Sequence, residues 1–164
     1  MKYLRTHKVE ELDESWFSSY KNNNSDPIKN YLQNKVDELK NTTITITSTT
    51  NLDYKFFNYI AGQLIESRIR VYLGLEDTKI LDGTYNYNGK KVNLEVKAFY
   101  KNKQSAAKSM FTNGEKEYIH NNQNISYGVL CSYIIDKPKN ILDNLTYKID
   151  DIFVLSGDEL IKHI

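Results

Sequence analysis

Asp82, Glu95 and Lys97 are the residues whose types and spacing can do chemistry here. They lie in Ile80–Tyr100, which reads ILDGTYNYNGKKVNLEVKAFY. After the turn pair Asn88-Gly89 the residues alternate, with Val92, Leu94, Val96 and Ala98 apolar and Asn93, Glu95 and Lys97 polar. Side chains alternate faces along a strand, so the apolar set can enter a core while Glu95 and Lys97 project together toward a site. Asn-Gly between two such runs is a strong hairpin signal, because both turn residues take positive φ. The hairpin folds the Asp82 end of one strand back toward Glu95. Two carboxylates beside a lysine suit a divalent cation and phosphodiester hydrolysis, a reaction that needs an activated water and a neutralised phosphoryl oxygen.

Asp82 and Glu95 are the expected carboxylate ligands, with the Val96 backbone carbonyl as a third. Lys97 is placed to orient water or offset developing charge. Mg²⁺ is the expected ion, with Mn²⁺ as a substitute. Around this group residues 84–108 carry six lysines against Glu95 alone. Lys90, Lys91, Lys101, Lys103 and Lys108 are therefore candidates for contacting nucleic-acid phosphates, although a net charge of +1 over 164 residues argues neither way. Tyr85 and Tyr87 can stack on bases or pack across strands. His7, His120 and His163 have no ligand spacing.

The elements that would position these groups are legible in outline. Asp26-Pro27 starts a helix with an apolar stripe at Ile28, Tyr31, Leu32, Lys35/Val36 and Leu39. The alternation at Thr42–Thr49 predicts an edge strand. A second helix runs from an Asp53 cap to Tyr72, with Phe56, Phe57, Ile60, Leu64 and Ile65 as its buried side and Gly74 as its stop. A strand is expected at Thr78–Asp82, then the hairpin and a long strand Lys91–Tyr100. Gln104–Met110 reads as helical, and Asn113-Gly114 as the start of a polar loop. Tyr127–Ile135 reads as a buried strand, Pro138 as a break, Ile152–Leu155 as a last short strand and Gly157–Ile164 as a helix. The fold class is α/β, or mixed α+β, in a single domain over 1–164. Its parts are an N-terminal helical and edge-strand portion (1–50), a core (53–135) and a C-terminal strand and helix (136–164). The single cysteine, Cys131, excludes an internal disulfide and reads as a buried small hydrophobe. No apolar run is long enough to span a bilayer and the first residues lack a signal-peptide pattern, so the expectation is an intracellular, cytoplasmic protein.

The order Asp82–x12–Glu95-Val96-Lys97 resembles the PD-(D/E)xK nuclease superfamily, the restriction-endonuclease-like fold. The resemblance covers about residues 53–135. It includes a preceding helix with a glutamate, Glu66 in GQLIESRIRVYLG, and Leu81 stands at the family's proline position. It implies a three-layer core with a central mixed sheet flanked by helices, Mg²⁺-dependent DNA cleavage and often a homodimer. It also implies that Glu66 joins Asp82, Glu95 and Lys97, and makes Gln104 a candidate polar residue after the lysine strand. From the residues alone Glu66 can equally be a surface partner of Arg70. Within this reading the chain is a small homodimeric type II restriction-type endonuclease. Its rivals are a structure-selective nuclease, such as a Holliday-junction resolvase or phage recombination nuclease, and a catalytically silent nucleic-acid-binding module of the same fold.

Overall fold

The computed structural model describes residues 20, 25–47, 54–101, 110–136 and 144–164. Helix α1 (Pro27–Val36) begins where Pro27 and the Asp26 cap require it, the Asp26 carboxylate accepting from the Ile28 and Lys29 amides. Strand β1 (Thr43–Thr47) and the twenty-residue helix α2 (Tyr54–Leu73) follow. Strands β2 (Gly83–Tyr87) and β3 (Lys90–Tyr100) form the hairpin, with Asn88 and Gly89 at φ 49° and 86°. Then come helix α3 (Asn113–Asn121), strand β4 (Ser126–Ile135), strand β5 (Asn144–Ser156) and the single-turn helix α4 (Gly157–Leu160).

The five strands form one mixed sheet in the order β1-β5-β4-β3-β2, with β1 at an edge as its Thr/Ile alternation predicts. The β3–β4 pair is parallel and the other neighbours are antiparallel. The architecture is mixed α+β. One sheet face contributes Val92, Val96, Val129, Cys131 and Val154 to a core shared with Leu32 and Val36 of α1 and Phe57, Ile65 and Ile69 of α2. The opposite face contributes Phe99, Leu130, Phe153 and Leu155 to a second core with Leu81, Phe111, Ile119 of α3 and Leu160 of α4. Cys131 is fully buried in the first core, as its apolar setting predicts. Among the described residues no helix is long and apolar enough to cross a membrane.

Several elements differ from the sequence reading. Residues 79–82 are bends and not a strand, because the Thr78 hydroxyl donates to the Leu81 carbonyl and closes a turn. The buried stripe of α2 is Phe57, Ala61, Ile65, Ile69 and Leu73, spaced by four, while Phe56 and Leu64 are 48% and 46% exposed. Two apolar stripes compete on this helix, and the sheet covers the one whose small Ala61 permits close approach. The expected polar loop at Asn113-Gly114 is instead the first turn of α3, secured by a capping box between Thr112 and Glu115. The expected short strand at Ile152–Leu155 is the end of a thirteen-residue β5. It passes through the acidic Asp150-Asp151 pair by a bulge, Ser132 opposing Asp151 and Tyr133 opposing Ile149. The C-terminal helix stops at Leu160 and gives way to turns. Gln104–Met110 (apart from Met110), Asp53 and Pro138 lie outside the described residues.

The ends of α1 and α4 are joined by a buried ion pair, Lys29 Nζ to Glu159 Oε1 at 2.8 Å and Oε2 at 2.9 Å. Lys29 also donates to the Tyr20 carbonyl at 2.6 Å. Breaking one partner strands a buried charge, so Lys29→Met should lower unfolding free energy by about 3–5 kcal/mol. Adding Glu159→Leu should recover part of that loss. Urea denaturation of both variants checks this, and equal stability of the single mutant and wild type would refute it.

Candidate active site

The site exists because β2 and β3 part company. Their pairing begins at Gly83 opposite Leu94. Past that point the outer edge of β3 has no strand neighbour from β2, and its amides need other acceptors. Two carboxylates supply them. The Val96 N–H donates to Asp82 Oδ2 at 2.7 Å, and the Ala98 N–H donates to Glu66 Oε2 at 2.8 Å. Glu66 reaches the edge from α2, and Asp82 from the bend just before β2. Gly83 makes this bend possible: Glu76 exchanges backbone hydrogen bonds with Thr84, and a Cβ on Gly83 would lie 2.7 Å from the Glu76 carbonyl oxygen. In a strand the N–H and C=O of one residue point to the same edge, so the Val96 carbonyl lies on the edge that Asp82 occupies.

Glu95 projects to the opposite sheet face with Lys97 and Phe99, as the alternation predicts. It is not exposed, however; at 2% exposure it lies in the layer that α3 and Phe111 cover. Its Oε2 is buried and no described residue donates a hydrogen bond to it, the Lys97 ammonium standing 3.9 Å away. Burial first, then contact with the Asp82 and Glu115 carboxyls, pushes Glu95 up to about 11, so it holds a proton at neutral pH. Glu66 is also raised, chiefly by burial.

Glu115 was not visible in the sequence reading. Its Oε1 accepts from the Thr112 N–H at 2.9 Å, and the carboxylate holds Lys97 Nζ at 3.1 and 3.3 Å. Burial opposes its charge, but the Glu95 proton, the Thr112 N–H and Lys97 together hold it down at about 2. Burial likewise opposes the charge on Lys97, and its acidic neighbours Glu95, Glu115 and Glu66 outweigh it, raising its pKa. The T-x-x-E spacing of Thr112 and Glu115 is a helix-start signal. The Asn-Gly pair inside it reads as a turn and masked it.

Four carboxyl groups (Glu66, Asp82, Glu95 and Glu115) thus gather around two cations, Lys97 and Arg70, the latter 3.3 Å from Asp82 Oδ1. Glu66 and Arg70 are not a simple surface pair, since Glu66 caps the strand edge and Arg70 meets Asp82. A surplus of carboxylates with one orphaned buried oxygen takes up either a proton or a cation. A hard divalent ion that keeps several waters would draw on Asp82, Glu95 and the Val96 carbonyl. Among the described residues no group of three or more His, Cys, Asp and Glu side chains is arranged to enclose a metal.

Of the basic strip, the described members outside the site are Lys90, Lys91 and Lys101. Lys90 and Lys91 are exposed at the hairpin tip, and Lys91 lies six residues from Lys97, about 20 Å along the strand. Lys91 stands 3.8 Å from Glu76, and Lys101 pairs with Asp150 at 2.9 Å. Lys103, Gln104 and Lys108 lie outside the described residues, as does His7. Tyr85 and Tyr87 pack against Tyr31 of α1, with ring centroids 6.2 and 5.2 Å apart. His120 is exposed on α3, and His163 is bonded to Tyr20 at the C-terminal end.

No protein-family model, curated protein or solved structure matches the chain.

Glu95 has a measurable signature. Between the ordinary carboxyl pKa near 4.3 and its raised value, the folded protein binds more protons than the unfolded chain. Its contribution to stability is therefore greatest below about pH 4.3 and declines as pH rises toward about 11. In EDTA, Glu95→Gln should become steadily more stabilising relative to wild type from pH 5 to pH 8, with a slope of at most about 1.4 kcal/mol per pH unit. Denaturation at several pH values tests this; a difference that does not change with pH would remove the raised pKa.

Proposed function

We propose that this chain is a Mg²⁺-dependent DNA endonuclease with a restriction-endonuclease-like core. The observation that carries the reading is the buried Glu95 Oε2, which receives no hydrogen bond and lies among the Asp82 and Glu115 carboxyls. It sits beside Asp82 and within reach of Lys97, where a strand edge opens. Asp82, Glu95 and the Val96 carbonyl would hold the cation, and Glu66 would keep the open edge in register through its bond to Ala98. A bound divalent ion supplies Lewis-acid neutralisation of a phosphoryl oxygen and lowers the pKa of water.

The protein's own residues supply positioning and charge. Lys97 is clamped by Glu115 and keeps its proton, so it acts as a fixed positive charge or a hydrogen-bond donor to water or phosphate, not as a base. Asp82 is held at both oxygens, by Arg70 and the Val96 N–H, which limits reorganisation when substrate binds. The reading extends to a homodimer on DNA, each copy presenting one such site to one strand.

Two outcomes follow. Because Glu95 carries a proton at pH 7, Mg²⁺ binding should release one. Calorimetric titrations in two buffers of different ionisation enthalpy should reveal that proton for wild type and not for Glu95→Gln; buffer-independent heats for wild type would count against the cation assignment. In a cleavage assay on supercoiled and branched DNA with Mg²⁺, Asp82→Asn should abolish cutting and Lys97→Ala should lower turnover by roughly 10² or more. Discrete fragments from plasmid fit a restriction-type enzyme, and cuts confined to branches fit a structure-selective one. A wild-type protein that binds DNA without cutting under any divalent ion would make it a binding module.

A further inference from the structure

A cavity of about 390 Å³ opens beside the charged site, between α2 and the end of β3. Glu66 and Lys97 line both the cavity and the site. It lies along the part of β3 beyond its pairing with β2, which ends at Leu94. Its walls are aromatic, with Tyr59, Tyr100 and Tyr133 among them. Gly62 on α2 lets the helix lie against Tyr133, since a Cβ there would stand 3.0 Å from the tyrosine oxygen.

The polar groups of the cavity are preset. The Tyr147 hydroxyl donates to Asn58 Oδ1 at 2.7 Å, which leaves the Asn58 NH₂ as its donor end. Gln63 Nε2 donates to the Tyr59 hydroxyl at 2.8 Å, which leaves the Gln63 carbonyl as its acceptor end. That bond also holds the Tyr59 ring, which is 63% exposed. Aromatic faces with one donor amide and one acceptor amide match a planar heterocycle with polar edges. A phosphate or a metal ion needs no such walls.

We infer that this cavity receives an unpaired nucleobase of DNA next to the phosphate that Lys97 faces. The inference rests on the nuclease reading above and narrows its substrate class. In a paired duplex the bases are stacked inside the helix, so a base neighbouring a bound phosphate reaches a side pocket only by being unpaired and flipped out, at a cost. Single-stranded, flapped or mismatched DNA presents one at little cost. Tyr59 supplies the stacking face, and Asn58 and Gln63 read the base edge.

The test is fluorescence anisotropy with a labelled single-stranded oligonucleotide and the matching blunt duplex, with Ca²⁺ in place of Mg²⁺. Wild type should bind the single strand at least tenfold more tightly. Tyr59→Ala, on an exposed ring that does not support the core, should weaken single-strand binding by roughly fivefold or more and leave duplex binding unchanged. Tyr59→Phe should retain the preference, and Gln63→Ala should reduce it. Equal binding of both DNAs by wild type, or a preference untouched by Tyr59→Ala, overturns the proposal. Cleavage of plasmid with Mg²⁺ by wild type is scored separately. A Tyr59-dependent single-strand preference in a protein that cuts nothing would keep the pocket and remove the nuclease reading, and cutting without that preference would do the reverse.

Discussion

The open edge of β3 is the constraint on which the rest of the site depends. A strand amide taken from water must find an acceptor, and β2 begins too late to provide one for Val96 and Ala98. Asp82 and Glu66 fill those places. Two carboxylates from distant parts of the chain are thereby brought to consecutive positions on one edge, a backbone requirement that also assembles an acidic centre. Gly83 is part of the same solution, since any side chain there would meet the Glu76 backbone and push Asp82 away.

The acidic centre is then tuned by what covers it. Glu95 lies on the sheet face closed over by α3 and Phe111, so its charge cannot be solvated. The proton it retains and the unpartnered oxygen it buries are two signs of one imbalance: more carboxyl groups than cations in a poorly hydrated space. Lys97 and Glu115 form the complementary half. The capping box that starts α3 also orients the carboxylate that holds the lysine. Helix initiation and site electrostatics share one side chain, so a change at Glu115 would act on both.

The surrounding fold packs closely around this group. The sheet is packed on both faces, and α1 is tied to α4 by Lys29 and Glu159 in a setting where a lone charge would be costly. Tyr127 donates to the Asp26 cap from within β4, fastening the start of α1 to the central strands. The Gly128 position in β4, beside Glu95, admits Leu160 of α4 at a distance where a Cβ would collide. The second core thus reaches up to the buried carboxyl.

Local chemistry was enough to read part of this in the sequence. Asn88-Gly89 demanded a positive-φ turn, Asp26-Pro27 demanded a helix start, and the period of two in Val92–Ala98 separated a core face from the face of Glu95 and Lys97. Those features depend on residues close in the chain. The depth at which Glu95 sits, the acceptor roles of Asp82 and Glu66, and the pairing of Lys97 with Glu115 depend on where strands part and what packs above them. The same holds for α2, where Phe56 and Leu64 match a helical period as well as Ala61 and Ile69 do, and only contact with the sheet chose between the stripes. The long β5 was hidden because Asp150-Asp151 breaks the apolar pattern, and a bulge opposite Ser132 and Tyr133 absorbs the break. Sequence period reports which residues can share a face; burial and hydrogen-bond demand, set by the assembled sheet, decide which face is wet and which carboxyl keeps its proton.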